Sequence, residues 1–439
     1  MYFRIDKNFS THMDTNSTTI HRFKMQCNKF SGNISKGLSK IRRRMVKELI
    51  YGIQASKDVK LSNVSRALQE PIRLIKTEDR LSRNLSQEDL SAHINNEIMR
   101  LADDKITDDM VLAIDPGDIM KPYAKAMEHL CNIYDGSKGE PAQGYHLCQV
   151  TAANLAHNKL VPLYCEAFSS KEQGYINSTE RIKSVISTVV GKIGTKGTWA
   201  IDRGGDSIDI IKHFEEEHLS FVTRLKLNRY LHFKHNTARQ VQADHIDRFT
   251  KMPYTTDIVK LEDGKMKYLK LQYGAIEVAL PEAPEKWYTL VIVKGFGQEP
   301  MLLLTNKGIN FFKQKQLWNI IEIYLTRWKC EECYRYIKQS YNLEDLRVRS
   351  YTSIRNITAI VHAIAYFSSV YMGLSLKLKL MVKRIFIASK RFFGIPVFYD
   401  YAMADGIYEL LKKTRTGIIN FMGKTGKTLD DFQLSLFPD

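Results

Sequence analysis

The stretch TWAIDRGGDSIDIIKHFEEEHLSFVTRLK (198–226) determines the predicted fold class. It begins with a short apolar strand, TWAID, and ends with a second strand, LSFVTRLK. The segment between them, SIDIIKHFEEEH, has apolar residues at the spacing of an amphipathic helix. Two strands joined by one crossover helix lie parallel in the same sheet. The stretch therefore predicts an α/β fold.

Three further strands are predicted upstream, in MVLAID (110–115), YHLCQVTAANL (145–155) and LVPLYCEAF (160–168). A helix is expected over residues 176–191. The resulting order, β-β-β-α-β-α-β, is typical of a ribonuclease-H-like core. In such a core a strand meander is followed by crossover units that pack helices on the sheet.

Downstream, the sequence alternates in hydropathy and turns often, which predicts antiparallel hairpins and a β-rich subdomain inserted into the core. Helices are expected before and after the core. The predicted division of the chain is a loose N-terminal tail (1–25), a small helical region (26–105), the first part of the ribonuclease-H-like core (106–225), the inserted β-rich subdomain (226–305), the rest of the core with a long helix (306–400) and a C-terminal tail region (401–439).

The charge balance favours a polyanionic partner. The 439 residues include 65 Lys and Arg against 48 Asp and Glu, a formal net charge of +17. Generic basicity of a globular protein is the alternative.

With 44% hydrophobic residues and six scattered cysteines, the chain is neither a disordered polymer nor a disulfide scaffold, and a reducing compartment is expected. Residues 21–50 hold nine Lys or Arg, including Arg42, Arg43 and Arg44.

One apolar segment, NITAIVHAIAYFSSVYMGLSL (356–376), is long enough to cross a bilayer as a helix and carries no Asp, Glu, Lys or Arg. It also contains Asn356, His362 and three serines, and it stands alone in a charged chain. We therefore expect a buried core helix. A basic protein anchored to a membrane by this segment is the alternative.

Two carboxylates are candidates for binding a divalent cation. Asp115 is predicted to close the first strand and Asp202 the fourth, where the turns PGD and RGGD begin. In the predicted order these strand ends lie side by side, and Mg²⁺ prefers oxygen ligands. A strand-end Asp that merely caps a turn is the alternative, so a third carboxylate is needed.

The segment IIEIYLTRWKCEECYRYIKQSYNLEDLRVRS (320–350) contains no Gly or Pro and is predicted to be one long helix. At ~100° per residue, its side chains Tyr324, Arg327, Glu331 and Lys338 share one face. Burying these groups unpaired would be costly, which favours a face that meets phosphates and a metal. The two cysteines of this helix, 330 and 333, point elsewhere and are interpreted as buried structural thiols.

This spacing, Tyr324-x2-Arg327-x3-Glu331-x6-Lys338, resembles the Y-R-E-K signature of the DDE transposases of bacterial insertion sequences, in the subgroup that has a β-strand insertion in its catalytic domain. RWKCEE resembles the R-W-x-I-E of that family, except that Cys330 replaces an aliphatic residue. AIDPGDI and AIDRGGDS resemble its first and second Asp blocks.

The resemblance implies that Asp115, Asp202 and Glu331 hold two Mg²⁺ ions, for which Mn²⁺ can substitute. It implies hydrolysis that exposes 3′-hydroxyl ends, followed by strand transfer of those ends to target DNA. The DNA-binding side chains expected with it are Tyr324, Arg327, Lys338, Arg203 beside the second Asp, the three arginines Arg42, Arg43 and Arg44, and Trp328, with Trp287 as a second tryptophan that could stack on a displaced base.

The implied partners are double-stranded DNA, as terminal inverted repeats and as target, and a second copy of the chain in a homodimer on DNA. The helical region would recognise the repeats, and the basic segment 376–391 is a further candidate for phosphate contact. No membrane is implied, and the implied location is the bacterial cytoplasm, associated with the nucleoid. Two alternatives remain: a ribonuclease-H-like nuclease without strand transfer, and a non-catalytic DNA-binding repressor derived from a transposase.

Overall fold

The structure is a computed structural model. The residues it describes are 16–135, 139–155, 159–233, 236–262, 265–373, 375–377, 380, 400–412, 414 and 417–418.

A set of helices precedes the sheet, as the sequence predicts: Asn16–Ile34 (α1), Lys40–Ser56 (α2), Leu61–Leu68 (α3), Leu74–Gln87 (α4) and Ser91–Ala102 (α5). The N-terminal tail predicted for residues 1–25 is wrong from Asn16 onward. Phe23 of α1 is fully buried and packs edge-on against Phe367. Burial of this apolar face holds α1 to the body of the protein. Residues 1–15 lie outside the described part.

The strands are Val111–Met120 (β1), Cys131–Asp135 (β2), Glu140–Ala153 (β3), Leu160–Phe168 (β4), Thr198–Ile201 (β5), Ser220–Arg224 (β6), Tyr230–Phe233 (β7), Asn236–Gln242 (β8), Tyr254–Glu262 (β9), Lys265–Leu280 (β10), Ala283–Lys294 (β11) and Met301–Thr305 (β12). They form one mixed sheet.

The predicted strand meander and crossover units are present. β1 pairs antiparallel with β3 and parallel with β5, and β5 pairs parallel with β6. The crossover helices are Ser178–Ile193 (α6) and Ile208–Glu216 (α7). The β5-α7-β6 unit predicted from residues 198–226 is therefore confirmed. The sequence missed β2, which pairs with the first residues of β3.

The first strand differs from its prediction. β1 continues five residues beyond Asp115, and the predicted PGD turn lies inside it. The pairing with β3 extends to Met120, whereas the pairing with β5 ends at Ala113. Pro116 is tolerated because β5 no longer pairs with that edge of β1, so no ladder hydrogen bond is lost there.

The strands predicted for the insertion also form, and β9–β10 and β11–β12 are the predicted antiparallel hairpins. They do not form a sheet of their own, however. β12 pairs antiparallel with β6, and β11 and β10 follow it, so these strands continue the sheet of the core. The apolar runs of β11 and β12 are buried on both faces, which a separate surface hairpin would not require.

The predicted long helix over 320–350 is two helices, Gln314–Thr326 (α8) and Trp328–Ser340 (α9). At the joint, the Arg327 amide donates to the Tyr324 carbonyl and the Cys330 amide donates to the Arg327 carbonyl, a tighter pattern than that of an α-helix. The helix ends before Asn342, whose φ of 51° is left-handed, so the prediction was wrong beyond Ser340.

The charge-free apolar segment forms a buried helix, Tyr351–Tyr366 (α10), followed by a π-helical turn, Phe367–Tyr371. The side chain of Asn356 satisfies the backbone of Leu85, Glu88 and Leu90. The prediction of a core helix is thus confirmed. In the part of the chain that the structure describes, no helix combines the length and the apolar character needed to cross a membrane.

The last described helix is Asp400–Lys412 (α11), in the region where helices were expected after the core. In α11, Met403 and Ile407 belong to the large hydrophobic cluster that also contains the apolar faces of α1 to α5 and α10. Of the basic segment 376–391, nearly all lies outside the described residues. The last predicted region, beyond residue 418, lies outside them as well.

Two hydrophobic clusters cover the two faces of the sheet. The larger one joins the N-terminal helices, α6, α7 and α10 to one face. The smaller one packs α8 on the other face, against Val111, Ala200, Val222 and Leu303. Because side chains alternate along a strand, Ala113 and Asp115 lie on the same face as Val111. The α8 face is therefore the face that carries the candidate site.

Candidate active site

The first two carboxylates occupy equivalent positions on neighbouring strands. Ala113 pairs with Ala200 in the parallel register, and two residues further along each chain are Asp115 and Asp202. Adjacent strands lie about 4.8 Å apart, and the charge of Asp202 acts on Asp115, which places the two aspartates near each other. Asp202 follows β5 directly and accepts a hydrogen bond of 2.8 Å from the Gly204 amide.

The third carboxylate reaches Asp115 through an arginine. Nη1 of Arg327 lies 3.3 Å from Oδ1 of Asp115 and 2.7 Å from Oε1 of Glu331. The guanidinium also lies 5.5 Å from the ring centre of Tyr324, which is itself buried. The Arg327 side chain is only 6% exposed, whereas that of Glu331 is 42% exposed. The structure therefore brings Asp115, Arg327 and Glu331 together at the joint between α8 and α9.

The electrostatics of Asp115 show an excess of negative charge at this joint. Burial raises the pKa of Asp115 to about 7; Arg327 opposes the rise, and the charges of Glu331 and Asp202 add to it. Arg327 pairs with Asp115 and Glu331, and the third carboxylate, Asp202, adds a further negative charge near Asp115. A site of this kind gains free energy when a further cation enters it.

The donor set fits a hard divalent cation. Asp115, Asp202 and Glu331 supply carboxylate oxygens, the ligands preferred by Mg²⁺ and Mn²⁺. Among the described residues, no three His, Cys, Asp or Glu side chains already converge as a ligand cluster, and Arg327 lies between two of the carboxylates. The three carboxylates are suitable ligands for such an ion. In the structure, two of them, Asp115 and Glu331, are bridged by Arg327.

Lys338 lies on α9 beyond Glu331, against the second half of β1. Its Nζ donates a hydrogen bond of 3.1 Å to the Asp118 carbonyl and pairs with Glu344. The hydroxyl of Tyr334 donates to the same carbonyl. These contacts fasten α9 to the strand that carries Asp115.

The predicted tryptophan lies at the edge of the site. Trp328 is 37% exposed, and its ring packs edge-on against Phe296 at 5.5 Å. Arg203, beside Asp202, pairs with Glu299 at 2.8 Å. Phe296 and Glu299 belong to the β11–β12 connection, and neither was predicted. Trp287, the second candidate, lies half-buried on β11.

Gln149 is a site residue that the sequence reasoning missed. It pairs with Asp115 across β1 and β3, and its side-chain amide donates to the Cys330 carbonyl at 3.2 Å. Its signal was an amide side chain inside the predicted strand YHLCQVTAANL, at a position that is buried in the structure. Cys330 and Cys333 are buried and form no disulfide, as predicted, and burial raises the pKa of Cys330.

The arginine run at the start of α2 is largely engaged within the protein. Arg42 contacts Glu88 at 3.1 Å and the Asn84 carbonyl at 2.8 Å. Arg44 pairs at 2.6 Å with both Glu48 and Glu70. Arg43 is exposed. The run is therefore not a continuous stripe of unpaired charge, because Arg42 and Arg44 pair with acidic side chains on α2 itself and just before and after α4.

Comparison with known proteins finds no matching protein-family model and no matching curated protein. Among solved structures, the chain is similar to the piggyBac transposase in a cryo-EM structure of its synaptic complex with hairpin DNA. That match has a TM-score of 0.45 and 9% sequence identity, and it covers 97% of this chain and 85% of the other. A similarity of this size identifies neither the family nor the activity of this chain.

Proposed function

We propose that this protein is a DDE-type DNA transposase. It would bind the ends of an insertion sequence, cleave the DNA by metal-dependent hydrolysis to leave 3′-hydroxyl ends, and join those ends to target DNA. The observation that carries the proposal is the position of Asp115 on β1 and of Asp202 directly after its parallel neighbour β5, with Glu331 linked to Asp115 through Arg327.

The topology around these residues supports the proposal. β1 lies between an antiparallel meander, β3 and β4, and the parallel pair β5 and β6. This is the strand order of a ribonuclease-H-like core, with one Asp on the central strand and the other directly after its parallel neighbour. The chain between the second Asp and the Glu helix contains the strands β7 to β12 and is long enough for the insertion that the resemblance implies.

The oxygens of Asp115, Asp202 and Glu331 would hold the divalent ions. Such ions, when bound, lower the pKa of the attacking water or hydroxyl and stabilise the leaving oxygen of an in-line displacement. Arg327 pairs with both Asp115 and Glu331. Its guanidinium can pair with a phosphate once cations compensate the carboxylates. Lys338 and Tyr334 keep α9 in register with β1, which sets the position of Glu331.

The net charge of +17 supports double-stranded DNA as the partner, because Lys and Arg that neutralise phosphates release condensed counterions. The helical region before the sheet, with the exposed Arg43 in it, would contact the inverted repeats. A homodimer would hold two ends at once. Trp328 and Arg203 would contact DNA beside the cleavage point.

The test uses the purified full chain, labelled duplexes that carry both DNA flanks of the reading frame, and a supercoiled target, in Mg²⁺ or in EDTA. We expect metal-dependent 3′-hydroxyl ends and joined products with wild type and neither with Glu331→Gln. Cleavage without joining would favour the nuclease alternative, and binding without cleavage the repressor alternative. Cleavage that survives Glu331→Gln would show that this carboxylate has been wrongly assigned.

A further inference from the structure

A second cationic site lies at the other end of α8. A cavity of about 440 Å³ opens where the chain leaves β12 and enters α8. Three lysines, Lys307, Lys313 and Lys315, line it together with the amide side chains of Gln316 and Asn319. No Asp or Glu is among its lining residues. We call this site the lysine cavity.

The lysines of the cavity differ in burial. Lys307 is half-buried, and its Nζ donates a hydrogen bond of 3.0 Å to Oγ1 of Thr198. Lys313 and Lys315 are exposed, and no carboxylate within the described ranges forms an ion pair with either. The first turn of α8 contains no acidic residue. The cavity therefore concentrates positive charge that the surrounding chain leaves uncompensated.

An exposed aromatic ring adjoins these charges. The side chain of Phe312 is 92% exposed, directly before Lys313. Keeping an apolar ring of this size in water is unfavourable unless a partner covers it. Lysines interleaved with an exposed aromatic side chain are typical of surfaces that bind nucleic acid, where the ring packs on bases and sugars while the lysines pair with phosphates.

The distance between the cavity and the carboxylates matches a short length of duplex. α8 has 13 residues, and it begins at the cavity and ends one residue before Arg327. At 1.5 Å per residue the helix spans about 20 Å, which is the length of about six base pairs. A duplex positioned for cleavage beside Asp115 can therefore extend to the lysine cavity.

We propose that the lysine cavity binds backbone phosphates of DNA about six base pairs from the cleavage point. This inference rests on the proposed function and adds a contact that lies outside the Tyr324–Lys338 face. Lys313 and Lys315 pair with successive phosphates, Lys307 closes the bottom of the cavity, and Phe312 packs against the sugars and bases beside them.

The test compares two double variants of the full chain. Lys313→Glu with Lys315→Glu changes the cavity, and Lys192→Glu with Lys212→Glu is the control of equal charge, at exposed positions on α6 and α7 on the other face of the sheet. Binding of a labelled 30-base-pair duplex is measured by fluorescence anisotropy in EDTA over a range of salt concentrations. We expect the cavity variant to bind at least tenfold more weakly than the control and its salt slope to fall by about two.

Two further arms identify the ligand. If nucleic acid occupies the cavity, Phe312→Ala weakens duplex binding. Inorganic phosphate, which has no base or sugar for the ring to contact, then competes with the duplex in this variant as it does in wild type. If Phe312→Ala has no effect on duplex binding while phosphate protects the two lysines from acetylation, the cavity binds a free anion and the proposal is overturned.

The failure of this inference is distinguishable from that of the proposed function. Equal duplex affinities and salt slopes for the cavity and control variants overturn the cavity as a DNA site, whatever the chain does at its carboxylates. If wild type binds no duplex under any condition, both the inference and the proposed function fail. If wild type binds and the cavity variant does not, the inference holds even where no cleavage is observed.

Discussion

Arg327 links two of the three candidate carboxylates. It was predicted as a phosphate ligand on an exposed helix face, and the structure places its guanidinium inside, between Asp115 and Glu331. A buried arginine between two carboxylates occupies the place of a cation. Under the proposed function, a divalent ion bound by these carboxylates would compete with Arg327, and a DNA phosphate that attracts the arginine would favour the ion.

We predict that Arg327→Gln lowers the melting temperature in EDTA, because the partly buried carboxylates lose their counterion. Addition of Mn²⁺ then raises the melting temperature of the variant more than that of wild type, since no side chain competes with the ion. Differential scanning fluorimetry with and without Mn²⁺ measures both effects. Arg335→Gln, an exposed arginine on the same helix, is the control. An Mn²⁺ response equal to that of wild type would rule out the competition.

At the scale of single elements, α10 carries a histidine within its buried and largely apolar second half. His362 is fully buried, and burial lowers its pKa to about 3. The unfolded chain takes up a proton at this residue near pH 6.5, whereas the folded chain does not. Its contribution to stability is therefore complete above pH 6.5 and is lost as the pH falls toward 3.

We predict that His362→Leu makes the protein less sensitive to acid. Between pH 6 and 4 the free energy of unfolding of wild type should fall by up to about 1.4 kcal/mol more per pH unit than that of the variant. Urea unfolding at several pH values measures this difference. His245→Leu, which changes an exposed histidine, is the control and should keep the slope of wild type. Parallel slopes for wild type and His362→Leu would contradict the prediction.

The N-terminal helices are joined by a compact ionic network. Glu48 of α2 is fully buried and pairs at 2.5 Å with Arg80 of α4, and Arg80 and Arg44 both pair with Glu70 in the α3–α4 turn. We predict that Arg80→Met lowers the free energy of unfolding by roughly 2 kcal/mol, because it leaves Glu48 with one partner that is itself half-exposed.

The measurement for Arg80→Met is urea unfolding at neutral pH, with Arg83→Met as the control at an exposed position of the same helix.

Ion pairs among the N-terminal helices explain why the sequence predicted helices correctly but overestimated the positive charge available from Arg42 and Arg44. Apolar periodicity is local, whereas the pairing of these arginines depends on acidic residues up to 46 positions away.

At the scale of the whole molecule, the predicted domain boundary after residue 105 does not separate two hydrophobic cores. One hydrophobic cluster joins Ile50 of α2 and Ile98 of α5 to Leu163 of β4 and Ile360 of α10. We predict that a fragment of residues 16–105 does not unfold cooperatively, because its apolar faces lose their partners. Circular dichroism during thermal unfolding measures this. A sharp fragment transition at the temperature of the full chain would show an independent domain.

The sequence by itself determined the features that depend on neighbouring residues. The β5-α7-β6 unit, the hairpins β9–β10 and β11–β12, and the buried α10 follow from apolar spacing and turn residues, which act over a few positions. The choice of Asp115, Asp202 and Glu331 also came from sequence, and their role as metal ligands stays a prediction.

Only the tertiary structure decided the features that depend on distant partners. β1 continues past Asp115 because β3 provides a long antiparallel partner, and β12 attaches the predicted insertion to β6. Arg327 turns inward because Asp115, 212 positions away, offers it a carboxylate. Hydrogen bonds and ion pairs of this kind form between groups that the chain brings together in folding, so no local pattern encodes them.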